Sequence, residues 1–145
     1  MIKITKLSLI FFIVLNLTNS LLAENTFFEE GKKKYDEKKY EESKFLFQRS
    51  IVFNPKDQDS YLYLAKIYNF EDNKKEEQKN INTVLLLDPK NEEANYLLME
   101  IELKKSNYSK VKELAENFTK ICNKLCEKKI LILESLENLE PKNES

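Results

Sequence analysis

Few residues in this sequence are equipped for chemistry. There are two cysteines, Cys122 and Cys126, and no histidine. Without His the chain lacks the usual general base, the commonest metal ligand and the partner in both common Ser–His and Cys–His nucleophile pairs. The cysteines are spaced C-x3-C rather than C-x-x-C, and no strand–helix–strand pattern surrounds them, which argues against a redox-active pair. Two ligands fall short of the four a zinc site needs, so no metal and no cofactor is expected. In an oxidising compartment the pair suits one local disulfide. Within an unbroken helix, residues i and i+4 share a face but hold their Cβ atoms too far apart to bridge. A Cys122–Cys126 bridge therefore calls for a bend at Asn123-Lys124. A free buried pair and a small thiol/disulfide redox protein remain the alternatives.

The carboxylates run as Glu29-Glu30, Glu41-Glu42, Glu76-Glu77 and Glu92-Glu93. They are mixed with Lys, the pattern of solvated helix faces laced with i,i+4 pairs. A paired-carboxylate hydrolase would also need a deep, desolvated pocket to tune one acid, and the chain is read as non-enzymatic. One Gly and three Pro argue against sandwiches, barrels and Gly-rich phosphate loops. Arg49 is the only arginine and the net charge is −1, so no nucleic acid partner is expected. No small-molecule substrate is implied either. At 145 residues, 41% hydrophobic and 34% charged, the chain is of a length and composition for one globular domain.

Residues 1–23 read as a secretory signal. Lys3 and Lys6 form the positive start, Leu7 to Leu15 is apolar except for Ser8, and Leu21-Leu22-Ala23 ends in a small residue. The apolar core is well short of the ~20 residues a spanning helix needs. The expectation is cleavage after Ala23 and export, with a periplasmic location. A membrane is expected as a partner only if the signal is kept as an anchor.

The elements that must carry these residues repeat. Asn54-Pro55-Lys56-Asp57 recurs 34 residues later as Asp88-Pro89-Lys90-Asn91, each after an apolar run. Tyr61, Leu64, Ala65 and Tyr68 have the i, i+3, i+4, i+7 spacing of one helical face. At the same displacement lie Phe27, Tyr61 and Asn95; Gly31, Ala65 and Met99; and Phe47, Ile81 and Ala115. Pro55 and Pro89 disfavour helix at the residue before them, so a helix ends at each. The spacing predicts helices near 25–37, 40–53, 58–70, 74–87, 92–105, 108–121 and 126–139.

These features resemble the tetratricopeptide repeat family, a 34-residue helix–turn–helix unit with a W-x2-L-G-x2-Y … A-x3-F … P pattern. The second unit fits best, through Tyr61, Leu64, Ala65, Tyr68, Ile81, Val84 and Pro89. The first keeps Phe27, Gly31, Ser43, Phe47, Ser50 and Pro55. The third keeps Leu98, Tyr108, Val111 and Ala115, with Met99 in the small slot and Asn123 in the Pro slot. The resemblance implies an all-α, right-handed α-solenoid of about three units, 24–57, 58–91 and 92–123. A capping helix at 126–139, with a polar outer face, would complete a domain over 24–139. A flexible tail would follow at 140–145.

The resemblance also implies a function. It points to a protein–protein interaction module, a scaffold or assembly adaptor, that binds a peptide segment in a concave groove lined by the first helix of each pair. If the signal is retained, the chain would instead be a membrane-anchored subunit of an envelope complex. Mapped by the repeat, the groove's exposed side would carry Phe28, Lys32 and Tyr35; Leu62, Lys66 and Phe70; and Tyr96, Glu100 and Leu103. Chaperone-binding members clamp a C-terminal carboxylate with Lys, Asn and Arg. Here Phe28, Tyr63 and Leu97 fall at clamp slots, Glu93 adds negative charge, and only Lys32 and Lys66 are basic. An aromatic groove of this kind suits an apolar peptide better.

Overall fold

The computed structural model of the chain describes residues 26–139, so the signal segment 1–23 and the tail 140–145 lie outside the described residues. The described residues form seven helices and no strand. They are α1 (26–36), α2 (Tyr40–Phe53), α3 (Gln58–Phe70), α4 (Lys74–Leu87), α5 (Glu92–Lys104), α6 (Tyr108–Ile121) and α7 (Cys126–Leu139). Every helix starts and stops within one residue of its expected limits. None is long and apolar enough to cross a membrane. The described residues divide into two compact units, 26–67 and 68–139.

The same turn closes three helices at a spacing of 34. Lys38, Asp72 and Ser106 take φ of 59°, 52° and 59°. The N–H of Lys38 bonds Tyr35 O and that of Lys39 bonds Lys34 O; the pattern recurs from Asp72 and Asn73, and from Ser106 and Asn107. These are Schellman closures, which satisfy the carbonyls a helix end would leave orphaned. Glycine usually takes the left-handed position, because an L side chain there costs about 1–2 kcal/mol. Here Lys, Asp and Ser sit in it.

The Asn54-Pro55-Lys56-Asp57 motif is explained bond by bond. The Asn54 side chain accepts from the N–H of Lys56 at 3.0 Å, and its carbonyl accepts from the N–H of Asp57 at 3.1 Å. Asp57 then accepts from the N–H of Ser60 and from the hydroxyls of Ser50 and Ser60. It thereby caps α3 and ties the end of α2 to its start. In the second copy Asp88 accepts from Lys90 at 3.0 Å and Asn91 caps α5 through Ala94 N–H at 3.0 Å. Tyr61 and Asn95, one repeat apart, both donate to a proline carbonyl, that of Pro55 and that of Pro89.

In the first unit α1 and α2 meet at Gly31, which is buried. A Cβ there would lie 2.9 Å from Cε1 of Phe47, itself wholly buried. The Ser43 hydroxyl donates to Gly31 O at 2.8 Å and fixes the same approach. The core of the second unit joins Met99, Val111, Leu114, Ala115 and Phe118 with Ile132 and Leu136 of α7. α7 packs on both α5 and α6. Its outer face was expected to be polar, but Ile130 and Leu131 stand 54% and 53% exposed there. Only Ile132 and Leu136 of α7 are buried.

Gly31→Ala should destabilise the protein by about 1–2 kcal/mol in urea unfolding. Alanine favours helix over glycine by about 1 kcal/mol, but overpacking against Phe47 opposes and exceeds that gain. Adding Phe47→Leu should recover part of the loss. Stability equal to or above wild type in Gly31→Ala would show that the contact does not set the helix spacing.

Candidate functional site

In the first unit the expected groove residues gather around Tyr63, which the resemblance places at a clamp slot. Tyr63 stacks on Phe47 at 4.9 Å between centroids. Phe28 meets the Tyr63 ring edge-on at 6.0 Å and Tyr35 does so at 5.0 Å. Phe28 also lies 5.8 Å from Phe47, and Tyr35 lies 5.6 Å from Tyr40. The Lys66 ammonium sits 4.8 Å above Tyr63. Each such aromatic pair contributes about 0.5–1.5 kcal/mol beyond its buried area. Phe28 and Tyr35 are half-buried members of this cluster, so they hold the unit together as well as facing outwards. Lys32 is exposed and lines an open, charged depression with Glu29, Lys33 and Asp36.

Leu62 departs from expectation. It was placed on the exposed side and is only 6% exposed. Ser60, Leu62, Leu64, Ala65 and Ile67 of α3 are all buried. These positions do not fall on one stripe, so a single-face assignment misplaces Leu62.

In the second unit Phe70 ends α3 with its side chain 61% exposed, the most open of the expected apolar residues. Tyr96 and Glu100 stand one turn apart on α5 and are joined, the phenol donating to Glu100 Oε1 at 2.6 Å. Burial, with the hydrogen bond and charge of Glu100 added, pushes the Tyr96 pKa up to about 12. The phenol therefore stays a neutral donor across the working pH range. Lys128 of α7 reaches over its ring at 5.3 Å. Tyr96 and Leu103 are half-buried against the core that α7 completes. Their exposure is thus smaller than the repeat mapping expects, with Lys128 of α7 lying over the Tyr96 ring and Leu103 packed against the core.

The cysteines lie at the expected bend. α6 stops at Ile121, and Cys122 is extended with φ −68° and ψ 143°. The Cys122 and Cys126 Cα atoms are 5.2 Å apart, with their sulfurs in close contact. Glu92, in the first turn of α5, accepts from the N–H groups of Lys124 at 2.9 Å and Leu125 at 2.8 Å. Backbone donation from Asn123, Leu125 and Lys124 holds its carboxyl below the ordinary carboxylate value. Leu125 has no side-chain acceptor to cap α7, so Glu92 caps that helix from another one. Sequence alone read Glu92 as one of a solvated pair; only the fold brings 92 to 124.

Among the described residues no cluster of His, Cys, Asp or Glu could hold a metal.

No protein-family model matches the sequence. No curated protein matches it either. Solved structures match it in three dimensions. The TPR2B domain of yeast Sti1, in a complex with Hsp70, aligns with TM-score 0.74 and 12% identity, over 82% of this chain and 99% of that one. The second TPR domain of human RPAP3, in complex with an HSP70 peptide, aligns with TM-score 0.68 and 17% identity, over 81% and 98%. The Yersinia enterocolitica type III secretion chaperone SycD, in complex with a peptide of the translocator YopD, aligns with TM-score 0.68 and 18% identity, over 79% and 89%. At these identities the likeness shows the fold.

The Glu92 linkage has a sign. Its carboxyl is held below the unfolded value, so its contribution is full above that value, near 4.3 for a free Glu, and is lost as pH falls through the folded one. Acidification should therefore loosen the start of α7. In Glu92→Gln the amides of Lys124 and Leu125 should exchange faster at neutral pH, and the acid-dependent loosening should shrink. Unchanged exchange at both amides would mean that Glu92 does not cap α7.

Proposed function

We propose, from the premise that the chain is an all-α tetratricopeptide-repeat fold, that it is an exported, non-enzymatic interaction module binding a peptide segment of a protein partner. The observation that carries this reading is the fold itself, since domains of the same fold are seen with peptides of Hsp70 and of a translocator. The binding residues would lie on the first helices of the pairs. In the first unit these are Phe28, Lys32, Tyr35 and Lys66; in the second, Phe70, Tyr96, Glu100 and Leu103. Leu62 would support them from the core.

The chemistry of the partner follows from those side chains. Tyr63, in a slot where a carboxylate clamp needs a polar or basic group, is engaged by Phe28, Tyr35, Phe47 and Lys66. That favours spaced apolar anchors over a C-terminal carboxylate. Aromatic residues supply most hot spots in such surfaces, and charges such as Lys32 and Glu100 would fix register more than affinity.

Export and a Cys122–Cys126 disulfide belong to the same reading. The signal pattern in 1–23 supports the first, and the close cysteine pair at a bend supports the second. Mass spectrometry of the exported protein should find Glu24 as the mature N-terminus, and thiol titration should find no free thiol. An intact Met1 would overturn cleavage, and two free thiols would overturn the bridge.

The binding test uses a partner captured from the exported fraction. Phe70→Ala should weaken binding by about 2 kcal/mol or more, the scale of an aromatic hot spot. Helical circular dichroism should be unchanged, because Phe70 is mostly exposed. Added salt and removal of the partner's C-terminal carboxylate should each have little effect. Binding that survives Phe70→Ala but collapses in salt would point to the charged outer faces instead.

A further inference from the structure

The break between α6 and α7 lacks a conventional cause. The earlier second helices end before Pro55 and Pro89, but 121–130 contains neither Pro nor Gly. Asn123 occupies the repeat's Pro slot. At the break stand the Cys122–Cys126 pair, which if bridged at i and i+4 requires a bend, and the Glu92 carboxylate, which accepts from the N–H groups of Lys124 and Leu125. Residues 121–130 are otherwise good helix formers, apart from Asn123 and the cysteines themselves.

α7 packs on α5 and α6 through few buried side chains, with Leu133 at the core's edge, Tyr108 donating to Leu139 O and Lys129 donating to Thr119 at its rim. Two of its residues, Ile132 and Leu136, are buried, while Ile130, Leu131 and Leu139 remain more than half exposed. At 14 residues it is marginal as an isolated helix. Beneath it lies an apolar face of α5 and α6 that includes Tyr96, Met99, Leu103 and Leu114.

From these observations we propose that the α5–α6 face beneath α7 is a latent binding surface for an amphipathic helix, opened when the Cys122–Cys126 bridge is reduced and α6 runs on into α7. A dithiol reductant would break the S–S bond, leave two thiols on the chain and itself become a disulfide. With the bend released, 122–126 joins α6 and α7 in one helix, and Ile132 and Leu136 leave the core. The partner's chemistry is set by the present occupant: apolar residues at i and i+4, and a Lys four residues before the first, as Lys128, Ile132 and Leu136 lie on α7. This rests on the bridged reading above, and the test separates the two: free thiols in untreated protein defeat that reading, whereas a bridged protein that ignores reduction defeats this one.

The experiment compares the oxidised chain with the same chain in a dithiol reductant, by NMR and by fluorescence anisotropy with a labelled peptide of residues 126–139 carrying Cys126→Ser. Reduction should shift the backbone resonances of Asn123 and Lys124 towards helix and release Leu136 from the core it shares with α5 and α6. It should also tighten peptide binding at least about tenfold, a shift of about 1.4 kcal/mol. Asn123→Pro, which forbids the continuous helix, should keep α7 docked after reduction. A Leu136 that stays in the core and an unchanged peptide affinity in the reduced wild type would overturn the proposal. An Asn123→Pro protein that opens as wild type does would overturn the continuous-helix mechanism.

Discussion

The constraint on which the rest of the structure depends is the closeness of two helices within a pair. In the first unit it is set where Gly31 faces Phe47, with no room for a Cβ. Gly in a helix interior is unfavourable by about 1 kcal/mol relative to Ala, so its presence in α1 shows packing outweighing propensity. In the second unit the same two repeat positions hold Met99 and Ala115, both buried in one core. The large side chain has moved from the second helix to the first and the small one has moved the other way. Close-packed interiors respond to volume at the level of a methylene, so either arrangement fills the space while two large or two small residues would not. Met99 in the small slot is thus matched by Ala115 in the slot where the first two repeats carry Phe47 and Ile81.

Once the helices are that close, their ends must be satisfied locally, because buried backbone groups without partners are costly. The chain meets this with one set of bonds used repeatedly. The Schellman closures at Lys38, Asp72 and Ser106 end the first helices. The second helices end at Asn54, Asp88 and Cys122, each extended and each donating its N–H to the carbonyl four residues back. Polar residues in the interior follow the same rule. Glu77, 4% exposed where a small residue is usual, accepts from Asn69 at 2.6 Å. Glu102 accepts from Lys105 and Asn107. The tolerance of this repeat for polar substitutions lies in such partners, which single positions in the sequence do not reveal.

That difference explains what could be read beforehand. Helix limits were legible because Pro55, Pro89 and the apolar period act locally. The bend at the cysteines was legible because a bridge between residues i and i+4 calls for one. The face of each helix was less so. Leu62 lies inward because the buried positions of α3 wrap around it, and a stripe model allows one face only. Phe28 and Tyr35 were read as free groove residues, yet Tyr63 draws both into a cluster. The cover that α7 gives Tyr96, and the capping of α7 by Glu92, depend on contacts more than thirty residues apart in sequence and leave no local trace.

The ends of the three second helices differ in a way that bears on function. Asn54 and Asp88 are followed by proline, which stops a helix sterically under all conditions. Cys122 is followed by Asn123, which does not. Here the close cysteine pair and the Glu92 carboxylate of α5 stand at the stop instead. On the switch proposed above, the breaks at Pro55 and Pro89 would be unconditional and the third conditional, at the start of an element that packs on α5 and α6. A helix with two buried anchors is well suited to that position.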